Sequence, residues 1–150
     1  MLKYFDPASP MTLREAIQEL RAAEEQKSDI SAVQISTEMM QTFEHHDAVH
    51  VLFGCGTTIQ DEIAAHVWMI FGTTAKVGEM HRAVANREHQ NVLSGIGHFR
   101  LISIWVGCLP QIFTIIIKCL GMKKRLALEE LAILKEQSLY NIRREHGIVI

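Results

Sequence analysis

With 150 residues, 48% of them hydrophobic and 21% charged, the chain carries enough apolar material for one folded core and too little charge for a disordered polymer. A formal net charge of −2 gives no electrostatic reason to expect nucleic acid as a partner. The three cysteines (Cys55, Cys108 and Cys119) form no C-x-x-C pair and no even disulfide framework, and "MLKYFDPASPMTLREA" lacks both the apolar run of a secretory signal and the arginine-rich character of a transit peptide; a reducing cytoplasm is the expected setting.

In "TLREAIQEL", Thr12 and Glu15 form a capping box that opens a first helix, with Leu13, Ile17 and Leu20 on one face. A break at Ser28 to Ser31 separates it from a second helix running to about Phe53. Gly54 and Gly56 permit a tight turn, after which Thr58 and Asp61 cap a third helix striped with Ile59, Ile63, Val67 and Ile70. Gly72 with Thr73 and Thr74 interrupts that helix before a more polar continuation, "AKVGEMHRAVANREHQ".

The uncharged run "LISIWVGCLPQIFTIII", residues 101–117, reads as a helix pair divided at Pro110 and buried in the core or around a lipid tail. It falls just short of the roughly 20 residues that span a bilayer. Lys118, Lys123, Lys124 and Arg125 follow it and would suit docking on an anionic membrane surface. A charged amphipathic helix from about Lys123 to Arg144 is expected to close the chain. Nothing alternates with period two for long enough to argue a sheet, so the expected fold is all-α: a single-domain helical bundle of about five to seven helices.

The chemistry concentrates in "HHDAVHVLFGCGTTIQDE", residues 45–62. At about 100° per residue, His46, Asp47 and His50 share one arc of a helix, His46 and His50 as i,i+4 neighbours. The glycine turn folds the next helix back and brings Glu62 towards the same point. Two imidazoles and up to two carboxylates suit zinc or another first-row divalent ion, with room for water or substrate, and a cation would justify polar groups set among Val49, Leu52 and Phe53. On residues alone a solvent-facing polar patch is the competing reading. His66, i+4 from Glu62, can orient that carboxylate or simply be a hydrogen-bonded histidine. Cys55, flanked by glycines, reads as a turn residue.

Three familiar motifs fail here. H-E-x-x-H hydrolases need glutamate where Asp47 stands, di-iron bundles need paired Glu-x-x-His, and His-Asp phosphohydrolases need a histidine upstream of His45, where this chain has none.

The spacing that is met is H-D-x-x-H-(x)11-E, at His46, Asp47, His50 and Glu62, with the turn "HVLFGCGT" after the second histidine and a closing "IRREHGIVI". In these features the chain resembles the Coq-four family of ubiquinone (coenzyme Q) biosynthesis proteins, most specifically over residues 40–75. The resemblance implies that His46, Asp47, His50 and Glu62 are ligands of a divalent metal, zinc first and iron, cobalt, manganese or magnesium after it. It also implies an apolar cavity for a prenylated aromatic or other isoprenoid lipid, and peripheral association with membranes and with other quinone-biosynthesis proteins. The expected location is the cytoplasm, with a peripheral place on the inner membrane as the further option. The activity implied is oxidative decarboxylation of a prenylated benzoquinone precursor; a non-catalytic, metal- and lipid-binding scaffold is the alternative. Family members are usually longer ahead of the motif, which points to a smaller cavity, a homodimer or a changed function.

Overall fold

The computed structural model describes residues 2–25, 37–75 and 98–150. Over these residues the protein is all-α, with six α-helices: α1 (Leu13–Glu25), α2 (Thr37–Phe53), α3 (Ile59–Gly72), α4 (His98–Leu120), α5 (Leu131–Leu134) and α6 (Leu139–His146). Single 3-10 turns precede α1 and α5, and the described residues include no strand, only isolated bridges at Thr12–Ser138 and Thr73–Leu126. The break expected at Ser28 to Ser31 and the polar continuation after Ala75 lie outside the described residues.

α2 lies between α1 and α3, and α3 packs in turn on α4. Leu13, Ile17 and Leu20 of α1, Val49, Val51 and Leu52 of α2 and Ala65, Val67 and Trp68 of α3 meet in the core, where Phe53 stacks on Trp68 with ring centroids 4.3 Å apart. The capping box on α1 forms as its spacing predicts: the Thr12 N–H donates to Glu15 Oε2 at 2.8 Å and the Glu15 N–H to Thr12 Oγ1 at 3.2 Å. Two more donors of that first turn go across the molecule, Leu13 N–H to the Gln137 carbonyl at 3.0 Å and Arg14 N–H to the Lys135 carbonyl at 3.1 Å.

This crossing explains why residues 123–144 are not the single helix expected. Carbonyls at 135 and 137 serve α1 instead of a local helix, the 3-10 turn and short α5 end before them, and Ser138 restarts the chain as the N-cap of α6, accepting from the Asn141 N–H at 3.3 Å. Gly147, at φ +71°, ends α6 in the left-handed cap.

α4 is the second departure from expectation. It is one helix that passes through Pro110, not a pair divided there, and it is largely exposed, not buried. Proline costs a helix the bond that its missing N–H would have made to the carbonyl four residues back. Here both Pro110 and Val106 are exposed, so water can take that carbonyl, and the Thr114 hydroxyl donates to the Pro110 carbonyl at 2.9 Å. Cys108 and Ile115 form the buried line of α4. Ile102, Trp105, Val106, Leu109, Phe113, Ile117 and Leu120 all stand exposed, Ile117 at 68% and Leu120 at 82%. At about 100° per residue they fall within about 60° of one line, forming a stripe about 27 Å long. By length and composition Ile102–Leu120 is sufficient to cross a membrane.

Candidate metal centre

The site is built on the end of α2, the turn after it and the start of α3. Gly54, at φ +66°, ends α2 in the left-handed region, and the Cys55 N–H donates back to the His50 carbonyl at 2.8 Å. Arg143 of α6, buried at 3% exposure, secures the same terminus. Its guanidinium donates to the carbonyls of Val51 at 2.7 Å and Leu52 at 2.9 Å, and to those of Tyr4 and Asp6 at 2.7 Å each. Burial lowers its pKa to about 10, against the pull of Asp6, so it stays cationic at neutral pH where the dipole of α2 is negative. Ile150 closes over the turn, where a Cβ on Gly54 would meet its side chain at 3.2 Å.

On the other side of the turn the Thr58–Asp61 capping box forms in both directions, the Asp61 N–H to Thr58 Oγ1 and the Thr58 N–H to Asp61 Oδ2, each at 3.2 Å. Gly56 is confined by that carboxylate, since a Cβ there would lie 2.6 Å from Asp61 Oδ2. Its carbonyl, 2.8 Å from His50 Nδ1, can only accept, so Nδ1 carries the proton and the lone pair of Nε2 is left to point into the site.

His46, His50 and Glu62 converge, with one ligand atom from each lying within 4.8 Å of the others; among the described residues they form a group able to hold a metal ion. His50 Nε2 is 3.4 Å from His46 Nε2, His46 Nε2 is 3.3 Å from Glu62 Oε2, and His50 Nε2 is 3.5 Å from Glu62 Oε1. Ligands about 2.0–2.1 Å from a tetrahedral ion stand about 3.3–3.4 Å apart, which is the separation of the two imidazole nitrogens. Each of them meets one Glu62 oxygen at a similar distance, so the donor set suits a zinc-sized ion in type. His50 is 2% exposed, whereas the other two are half-buried, which leaves the cluster open on one side. Burial depresses the pKa of His50, but Glu62, by hydrogen bond and by charge, together with the Gly56 carbonyl and Asp47, outweighs it and the net shift is upward.

The fourth residue of the motif does not join them. Asp47 Oδ2 lies 2.7 Å from Arg21 Nε, and its side chain is 14% exposed. The reason lies on the helical wheel: Asp47 is about 100° round from His46, at the edge of the shared arc, and that edge faces α1 while the histidines face α3. His66 does not contact the Glu62 carboxylate through Nδ1, which donates to the Glu62 backbone carbonyl at 2.6 Å; its ring centroid is 5.6 Å from that of His46. Cys55 is buried, and burial, with the charges of Asp61 and Glu62, pushes its thiol up to about 12, the state of a packed turn residue.

Two residues of α1 belong to the site although nothing in the local sequence announces them. Arg21 holds Asp47, and one turn on, Glu24 feels the cluster: burial first, then Asp47 and Glu62, raise its pKa, while His50 and His46 pull the other way. The available signal was the i,i+3 spacing of Arg21 and Glu24, which gains meaning only once α1 is laid against α2. Compared with protein-family models, with curated proteins and with solved structures, the chain matches none.

Proposed function

We propose that this protein binds one divalent metal, zinc by preference, through His46, His50 and Glu62, and uses it to hold the acidic head of an apolar-tailed aromatic, a prenylated benzoquinone precursor in ubiquinone biosynthesis. The observation that carries the reading is that two imidazole nitrogens 3.4 Å apart each face one oxygen of the Glu62 carboxylate, at 3.3 and 3.5 Å. A bound divalent ion would polarise a carboxylate or quinone oxygen and stabilise charge during decarboxylation. The chain's own contribution is placement: Gly56 fixes the His50 tautomer, Arg143 holds the helix end, and the capping box sets where Glu62 stands.

Metal content by mass spectrometry tests this. Wild type should carry about one metal per chain, and His50→Ala and Glu62→Ala should lose it. A wild type that stays metal-free after exposure to zinc, cobalt, iron and manganese removes the proposal. Turnover of a prenyl-hydroxybenzoate with metal and oxygen favours the enzyme; stoichiometric lipid without turnover favours the scaffold.

The exposed stripe of α4 supports a peripheral place on an anionic lipid surface. Its buried line is committed to the core, so one face only is available, and Lys123, Lys124 and Arg125, all exposed, follow its end. Co-sedimentation with vesicles containing anionic lipid is expected, weakening with salt. A dimer in solution with no vesicle binding would assign the stripe to a second copy instead.

A further inference from the structure

The ring nitrogens of His46 and His50 stand 3.4 Å apart and each meets one oxygen of Glu62, at 3.3 and 3.5 Å, in a group that does not include Asp47. Asp47 is turned into α1, where Arg21 Nε meets its Oδ2 at 2.7 Å. The carboxylate end of that pair is 14% exposed and the arginine end 46%, so solvent screens it less than an ordinary surface pair. We propose that Arg21 is a positioning residue that holds Asp47 out of the metal's ligand set, so that the chain presents the ion through three side chains and keeps the remaining coordination for a bound molecule.

This inference rests on the metal reading and sharpens it. Two histidines and one carboxylate are the pattern of zinc sites that keep an open position, whereas four protein ligands make a closed, structural one. Without Arg21, Asp47 would be free on the same arc, i,i+3 from His50, with the like charge of Glu24 near it and a cation as its natural partner. The arginine supplies that cation from the side. Whether the ion can accept a substrate oxygen therefore depends on a residue of α1 that does not touch the ion.

Cobalt(II) titration, followed by its visible absorption and by competition for affinity, tests this on the full chain for wild type, Arg21→Gln, Arg21→Lys, Asp47→Asn, the Arg21→Gln/Asp47→Asn double variant and His50→Ala. Asp47→Asn should bind within about threefold of wild type, the scale of a partly exposed charge. Arg21→Gln should bind about tenfold tighter, with a changed absorption band as Asp47 enters the set. The gain and the new band should both vanish in the double variant, and Arg21→Lys should behave as wild type. A tightening that persists in the double variant would be plain charge removal and would overturn the inference. So would Asp47→Asn losing cobalt as His50→Ala does, because Asp47 would then be a ligand. Failure of the metal reading looks different: wild type and His50→Ala would both remain without cobalt.

Discussion

Two regions of this molecule invert the usual placement of side chains, in opposite senses. At the α2–α3 turn, two imidazoles and a carboxylate are drawn together among core residues. On α4, seven large apolar side chains stand exposed on the surface of the chain. The first region is braced at four points, by Arg143 on the helix end, Gly56 on the ring, Arg21 on the neighbouring acid and Asp61 on the next helix. The second is braced only along its buried line. Buried polar groups cost free energy unless satisfied, and an exposed apolar patch costs it unless covered. The occupants proposed for the two regions would therefore be selected differently, one by geometry and the other by area.

The largest test of that contrast is Arg143→Met. Removing a cation that serves four carbonyls should cost about 3 kcal/mol or more, because buried acceptors lose their donor. Thermal denaturation should show a fall of about 10 °C, together with loss of metal binding as the end of α2 frays. Next in size is the metal itself. Zinc at about 100 times its dissociation constant should add about 2.7 kcal/mol to wild type and nothing to Glu62→Ala, read as a zinc-dependent rise in melting temperature.

The α4 stripe should behave in the reverse manner. Phe113→Asp with Ile117→Asp should change stability by less than about 1 kcal/mol while vesicle binding falls about tenfold or more. A large loss of stability with binding retained would make the stripe part of the folded core and erase the comparison.

A smaller effect separates the metal-free from the metal-loaded centre by pH. The folded pKa of His50 is raised above the unfolded value of about 6.5. Its contribution to the metal-free fold is therefore full below that value and is lost as pH rises through the folded pKa. Metal needs the unprotonated ring, so the stabilisation from zinc should move the opposite way, shrinking on acidification through the same window. Melting temperatures with and without zinc at several pH values would show the two trends diverging. The least effect belongs to Cys55: with its thiol pushed up to about 12 and the side chain buried, it should resist a thiol reagent in the native protein and react on unfolding.

What could be read from the sequence was whatever a few neighbouring residues decide. Thr12 with Glu15 and Thr58 with Asp61 each specify a helix start within four residues, and Gly54 specifies a stop, so the all-α bundle and the meeting of His46, His50 and Glu62 could be anticipated. Pro110 misled because its local cost depends on whether water reaches the carbonyl of Val106, which is a matter of exposure. Lys135 and Gln137 misled because their carbonyls are claimed by Arg14 and Leu13, more than 120 residues earlier. Asp47 shares an arc with the histidines on a helical wheel, but no wheel shows that α1 supplies an arginine at its edge. Arg21, Glu24 and Arg143 act through tertiary neighbours and have no local signature.

The turn between α2 and α3 has one more consequence. Eleven residues separate His50 from Glu62, and they comprise the end of one helix, a loop pinned at Gly54 and Gly56, and the first turn of the next helix. Such a linker works like the teeth between two gears: one residue added or removed on the helical side rotates Glu62 by about 100° and carries it off the shared point. Substitutions in the turn can leave the centre aligned, while a change of length there disengages it at a single step.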